Sequence, residues 1–305
     1  MSTQTRMKPS SGLPALPLGL VALIALLLAW GCTGASQGDN YKTLLVPGGS
    51  LAYALTGSGP QGQGQTPGLT VVLLHGLGGN RGVWSKLLPM LEVSGRVVAI
   101  DLPGHGDSQG APQRDWSVAS VAEDVLALTR RLDLAPMVLV GHGWGAQIAV
   151  RVACEAHGGV RGLFLVDPMP QVAALETSKQ RLYVEGLLGP TDPEETYQWL
   201  ARPLSDGLSA PEYDAHLQGL RALGRSVLVS VYQGMFSYDA LADLTRWRGA
   251  MLALVGDANT GPLALHNMAV DLPFQEIAGK GHFLMLTAPQ QLAEALNSFV
   301  GLLEH

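Results

Sequence analysis

Cysteine is nearly absent from this chain: there are 2 in 305 residues, Cys32 and Cys154. A disulfide framework is therefore excluded, and stability has to come from a packed core. Charge is also sparse, at 14% of residues, and acids outnumber bases by 25 to 19 for a formal net charge of −6. Basic residues form no run, which argues against a nucleic-acid partner. No H-x-x-E-H pattern and no cysteine pair stands anywhere in the sequence, so no metal is expected. No cofactor is expected either. Nor is there a run of the roughly 20 apolar residues needed to span a bilayer.

The longest apolar stretch is Leu16 to Trp30. It follows Arg6 and Lys8 and precedes Gly31-Cys32, the order of a secretory signal whose cleavage leaves a lipid-accepting cysteine first. Residues 1–32 are expected to be such a lipoprotein-type signal peptide and 33–41 a short tether. The protein would then be exported to a bacterial cell envelope and held at a membrane by a lipid on Cys32. A plain signal peptide or an uncleaved anchor is the alternative. Losing Arg6 and Lys8 with no acid takes the net charge to about −8.

The rest alternates strand and helix patterns. Lys42–Val46 and Ser50–Thr56 read as a hairpin turned by Pro47-Gly48-Gly49. Leu69–Leu74, Arg96–Ile100, Met137–Val140, Gly162–Val166, Met251–Val255 and Pro273–Ile277 read as buried strands. Arg81–Leu91, Ser117–Leu132 and a closing segment to about Leu303 read as helices, with Ser117 a plausible cap. Residues 169–248 break the rhythm with helical patches rich in Tyr and Trp. His157 and His216 read as solvated helix residues, and Cys154 as a small buried hydrophobe.

Three loops carry chemistry. Leu74 runs into His75-Gly76-Leu77-Gly78-Gly79. Ile100 runs into Asp101-Leu102-Pro103-Gly104-His105-Gly106-Asp107-Ser108, where Asp101 and His105 read as loop-bracing hydrogen-bonders. Ile277 is followed by Gly279-Lys280-Gly281-His282-Phe283. Between them, Gly141-His142-Gly143-Trp144-Gly145 sits between a strand and a helix, the setting of a nucleophile elbow, G-x-S-x-G. Together and in this order the motifs resemble the α/β-hydrolase superfamily over nearly the whole mature chain. The resemblance implies an α/β fold with a mostly parallel central sheet and helices on both faces. It implies a core of 42–168 and 249–305 and a helical cap of 169–248. It also implies an oxyanion hole from the backbone N–H groups of Leu77 and Trp144.

Position by position, the family's nucleophile falls on Gly143, its acid on Asn259 and its histidine on His282. Glycine cannot attack a substrate, and asparagine cannot balance an imidazolium charge. Two losses together point to a degenerate triad and a non-catalytic homologue that binds a small apolar molecule or a protein partner. The alternative is a hydrolase of an ester, lactone or similar bond in which His282 activates water. In that case Asp257, or Asp167 at the end of the preceding strand, would orient it. A binding pocket is expected to be lined by His75, Trp144 and His282, with Gly76 and His142 beside it; His142 reads as packing behind the elbow or as a further participant in the chemistry. The G-x-G-x-x-A run from Gly141 to Ala146 also matches a dinucleotide fingerprint, but that reading explains none of the other three loops.

Overall fold

The computed structural model describes residues 41–57, 68–111, 113–257 and 259–304. The expected signal, most of the tether and Cys32 lie outside the described residues. In chain order the strands are β1 (Tyr41–Val46), β2 (Gly49–Thr56), β3 (Thr70–Leu74), β4 (Val97–Ile100), the two-residue β5 (Gln109–Gly110), β6 (Met137–His142), β7 (Val160–Val166), β8 (Ala250–Gly256) and β9 (Phe274–Ile277). They form one sheet in the order β1-β2-β4-β3-β6-β7-β8-β9, with β5 paired to β2. The hairpin β1–β2 and the β2–β4 pair are antiparallel; every pair from β4 through β9 is parallel.

The central strands are apolar on both faces because both faces are covered. Along β3 and β6, Val72, Leu74 and Leu139 point into one core, while Val71, Leu73, Val138 and Val140 point into the other. This is the period-two alternation of a strand, and each side chain so buried contributes about 1.5–3 kcal/mol of transfer free energy. Helices α1 (Val118–Arg131) and α2 (Trp144–Glu155) cover the first face. The short α8 (Leu284–Thr287) and α9 (Pro289–Gly301) cover the second. Ser117 caps α1, its hydroxyl accepting the Ser120 N–H at 3.2 Å.

Arg81–Leu91 is not the continuous helix that its spacing predicts. It is two 3-10 turns, Arg81–Trp84 and Leu88–Met90. Gly82 weakens helix propagation and Pro89 removes an N–H, so the segment is anchored instead by the buried Trp84 and Leu87.

Between β7 and β8 the described chain is helical: α3 (Thr177–Leu188), α4 (Pro193–Ala201), α5 (Ala210–Phe236) and α6 (Ala240–Arg246). The short α7 (Leu265–Met268) follows β8. A small apolar core of Leu187, Leu200, Leu217, Leu220 and Leu228 joins α3, α4 and α5, and Leu77 of the loop after β3 packs against it. Helix α5 is broken at Gly224, whose φ is +74°. No helix among the described residues is long and apolar enough to cross a membrane.

Candidate active site

The site lies where the parallel strands end. Strand β6 leaves the sheet at His142 and turns sharply into α2 through Gly143, with φ 53° and ψ −116°. That conformation lies outside the regions ordinary residues favour. The turn is tight because Gly145 sits against the carbonyl oxygens of Leu74 and His75, where a Cβ would overlap them. The sequence G-x-G-x-G therefore folds as an elbow, and the apex simply lacks a side chain. A Cβ on Gly143 would lie 3.1 Å from Nε2 of His282 and 3.7 Å from the Cα of Gly76.

Two backbone donors flank this apex. Trp144 is the first residue of α2, so its N–H has no partner inside the helix. The N–H of Leu77 makes no hydrogen bond among the described residues. The loop bearing Leu77 is braced from beneath. Gly79 N–H donates to Gly76 O at 3.0 Å, and Gly78 N–H donates to Nε2 of His105 at 3.0 Å. His105 in turn hydrogen-bonds Pro103 O through Nδ1 at 2.9 Å. His75 does the same work one residue earlier: Nδ1 bonds Gly76 O at 2.7 Å and Nε2 accepts the Leu102 N–H at 2.9 Å. Burial pushes His75 down to about 4 and His105 to about 3, so both imidazoles are neutral and able to accept at Nε2. His75 is thus a fully buried strut and does not line the pocket, contrary to the expectation from its motif.

His282 follows β9 and is oriented by Asp167: Nδ1 hydrogen-bonds Asp167 Oδ2 at 2.5 Å. This corrects two expectations. Asn259, at the position where the family resemblance puts the acid, donates through Nδ2 to Pro168 O at 2.8 Å and does not orient His282. Asp257 is exposed and accepts the Gly279 N–H at 2.6 Å, fixing the loop that leads to His282 without touching it. The acid stands instead at the end of β7, the neighbour of β8 in the sheet. Asp167 has φ 40°, a left-handed conformation rare in a non-glycine residue, and it is held from several sides. Its Oδ1 accepts the Gly256 N–H at 2.9 Å, its own N–H donates to Leu254 O at 2.7 Å, and Asn259 pins the next peptide.

The other histidines surround this pair. His142 lies behind the elbow, its Nε2 bonding the His282 carbonyl at 3.1 Å and its ring 4.3 Å from that of His282. Burial holds its pKa well below the usual histidine value. His216 of α5 is buried rather than solvated, 4.9 Å from the ring of Phe283, with no hydrogen-bond partner at either nitrogen. Helical spacing shows which side of α5 it occupies, but not that this side faces the loop at Gly78. No group of side chains that could hold a metal ion is present among the described residues.

Above the dyad opens a cavity of about 390 Å³. Its floor is Asp167, Asn259 and His282, and its walls come from the helices between β7 and β8. A small extension of about 40 Å³ reaches Leu77 and Trp144 beside His282. Trp144 and His282 both line this extension.

A glycine-apex elbow, two free backbone donors and an Asp–His pair under helices define a hydrolase-type site that lacks only its nucleophile. The model of the alpha/beta hydrolase family matches residues 71–295, and the chain belongs to that family. It is 29% identical to the pimeloyl-[acyl-carrier protein] methyl ester esterase of Methylococcus capsulatus, over 76% of this chain and 95% of that protein. It is 42% identical to the dihydrolipoyllysine-residue acetyltransferase component of the acetoin cleaving system of Pseudomonas putida, over 47% of this chain; the matched part is 36% of the length of that relative. Among solved structures it resembles a thermophilic esterase from Thermogutta terrifontis with a TM-score of 0.72 at 22% identity, covering 88% of this chain and 100% of that one. At that identity the likeness is one of fold.

Proposed function

We propose that this protein is a hydrolase of an ester-like bond that works without a covalent intermediate, His282 acting as general base on water. The observation that carries the reading is the 2.5 Å contact between His282 and Asp167. With Nδ1 engaged by the carboxylate, Nε2 is the nitrogen free to take a proton, and it faces the space a nucleophile would fill. A water there gives its proton to Nε2 as its oxygen bonds to the substrate carbonyl carbon. The oxyanion is met by the N–H groups of Leu77 and Trp144. Collapse of the intermediate breaks the bond to the leaving oxygen, which takes the proton back from His282. The products are a carboxylic acid and an alcohol. The curated relative named an esterase supports the bond type.

The test is turnover of p-nitrophenyl esters by the purified chain. The expected result is steady release with no burst, insensitivity to fluorophosphonates, and loss in His282→Ala and Asp167→Ala. No turnover by the native chain would overturn it and favour the second reading, binding without catalysis, which the bare apex at Gly143 supports. Export and lipidation of Cys32 belong to the same proposal. Radiolabelled palmitate should enter the native chain and not Cys32→Ala.

A further inference from the structure

The cavity above the dyad has an unusual wall. Tyr183 of α3 stands at its centre, 5.3 Å from the ring of Trp199, 5.9 Å from Tyr232 and 6.2 Å from Phe236. In a chain that is only 6% aromatic, four such rings converge on one space. Tyr232 also packs against the small apolar core of α3, α4 and α5. Tyr183 and Trp199 remain 42% and 45% exposed, so each keeps a ring surface open where the cavity meets solvent.

The remaining wall is aliphatic, with Met169, Val172, Leu200 and Leu204. Among the described residues, no carboxylate, ammonium or guanidinium lines it apart from the Asp167–His282 pair. A charged ligand would lose its hydration there with nothing to replace it. The hydroxyls of Tyr183 and Tyr232 make no hydrogen bond among the described residues, and burial, then the neighbouring Tyr183, raises the Tyr232 pKa. Tyr232 therefore stays a neutral donor. Flat ring faces, free hydroxyl donors and no spare charge together describe one kind of guest.

We propose that this cavity takes a neutral, flat aromatic ligand carrying an oxygen acceptor, stacked on one of the tilted Tyr183 and Trp199 rings and edge-on to the other. As a statement about substrate it rests on the hydrolase reading, which would make the substrate a neutral aryl-bearing ester or lactone. As a statement about binding it stands apart from turnover.

The experiment is calorimetric binding to the full chain of three molecules it cannot hydrolyse: acetophenone, cyclohexyl methyl ketone and benzoate. Acetophenone and the cyclohexyl ketone share the acceptor and the size, and differ in the flat ring. Acetophenone should bind about three- to ten-fold more tightly than the cyclohexyl ketone, the range that ring–ring contacts supply. Benzoate at pH 7.5 should bind at least about ten-fold more weakly than acetophenone. Tyr183→Leu and Trp199→Leu, each made singly, should remove the preference for the ring while retaining the cyclohexyl ketone. Equal or tighter binding of the cyclohexyl ketone to the native chain would overturn the proposal, as would an unchanged ratio in both variants or tight binding of benzoate. A ring preference in a protein that turns over no ester would sink the hydrolase reading alone. Ester turnover with no ring preference would sink this one alone.

Discussion

Gly143 and His282 face each other so closely that a Cβ on the glycine would come within 3.1 Å of the imidazole Nε2. A serine hydroxyl at that apex would reach the histidine with Asp167 already behind it. Gly143→Ser is therefore expected to create a Ser–His–Asp triad. The variant should show a burst of p-nitrophenol and become covalently labelled by a fluorophosphonate, both read by rapid-mix kinetics and mass spectrometry. Because Gly143 has φ 53°, the substitution should cost about 1–3 kcal/mol of stability in a urea titration.

Asp167 and Asp257 both belong to loops near His282, and only one touches it. Asp167→Asn should lower turnover by roughly 10³- to 10⁴-fold, the scale of losing an orienting carboxylate. Asp257→Asn should leave kcat within a few-fold, since that side chain only accepts the Gly279 N–H. Steady-state kinetics on both variants check this, and equal losses would mean that the wrong acid has been assigned.

Four of the buried histidines, His75, His105, His142 and His216, are held toward the neutral form. Burial lowers each below its ordinary value, to about 4, about 3, well below and about 4 respectively. Unfolded, each titrates near 6.5. Between about pH 4 and 6.5 the folded chain thus binds fewer protons than the unfolded one. Stability should accordingly rise with pH through that window and be lost as pH falls. Each fully neutral histidine contributes a slope of about 1.4 kcal/mol per pH unit. Urea midpoints at pH 7.5 and 5.0 measure it, and His105→Gln should reduce the slope by about one histidine's share.

Arg114 and Asp124 form an ion pair at 2.7 Å with both side chains only 1% exposed. Asp124 also accepts the Gly48 N–H at 2.7 Å, tying α1 to the first hairpin turn. Arg114→Met strands the carboxylate in the interior and should cost about 3–5 kcal/mol in equilibrium unfolding. The double variant Arg114→Met, Asp124→Leu should recover part of that loss.

Much of the fold was legible because its signals are local. The hairpin turn at Pro47-Gly48-Gly49, the apolar β3 and β6, and the Ser117 cap each declare themselves within a few residues. His282 was legible for the same reason, since its flanking glycines and Phe283 form a compact motif. Asp167 could be named from the sequence only as one of two alternatives. Its role depends on β7 lying beside β8, so that Gly256 and Asn259 can hold a carboxylate displaced by one strand; strand order in a sheet is not written in either segment. His75 was misassigned because a histidine beside an oxyanion loop looks the same in sequence whether it faces the cavity or the interior. His216 was missed because its burial comes from a loop about 140 residues earlier in the chain.

The position of the acid on β7 decides how many residues separate this site from acyl-enzyme chemistry. Had the carboxylate been lost together with the nucleophile, a return to acyl-enzyme chemistry would need two coordinated changes, neither useful alone. With Asp167 already behind His282, only the residue at position 143 has to change, from glycine to serine. A single residue therefore separates this site from a complete Ser–His–Asp triad.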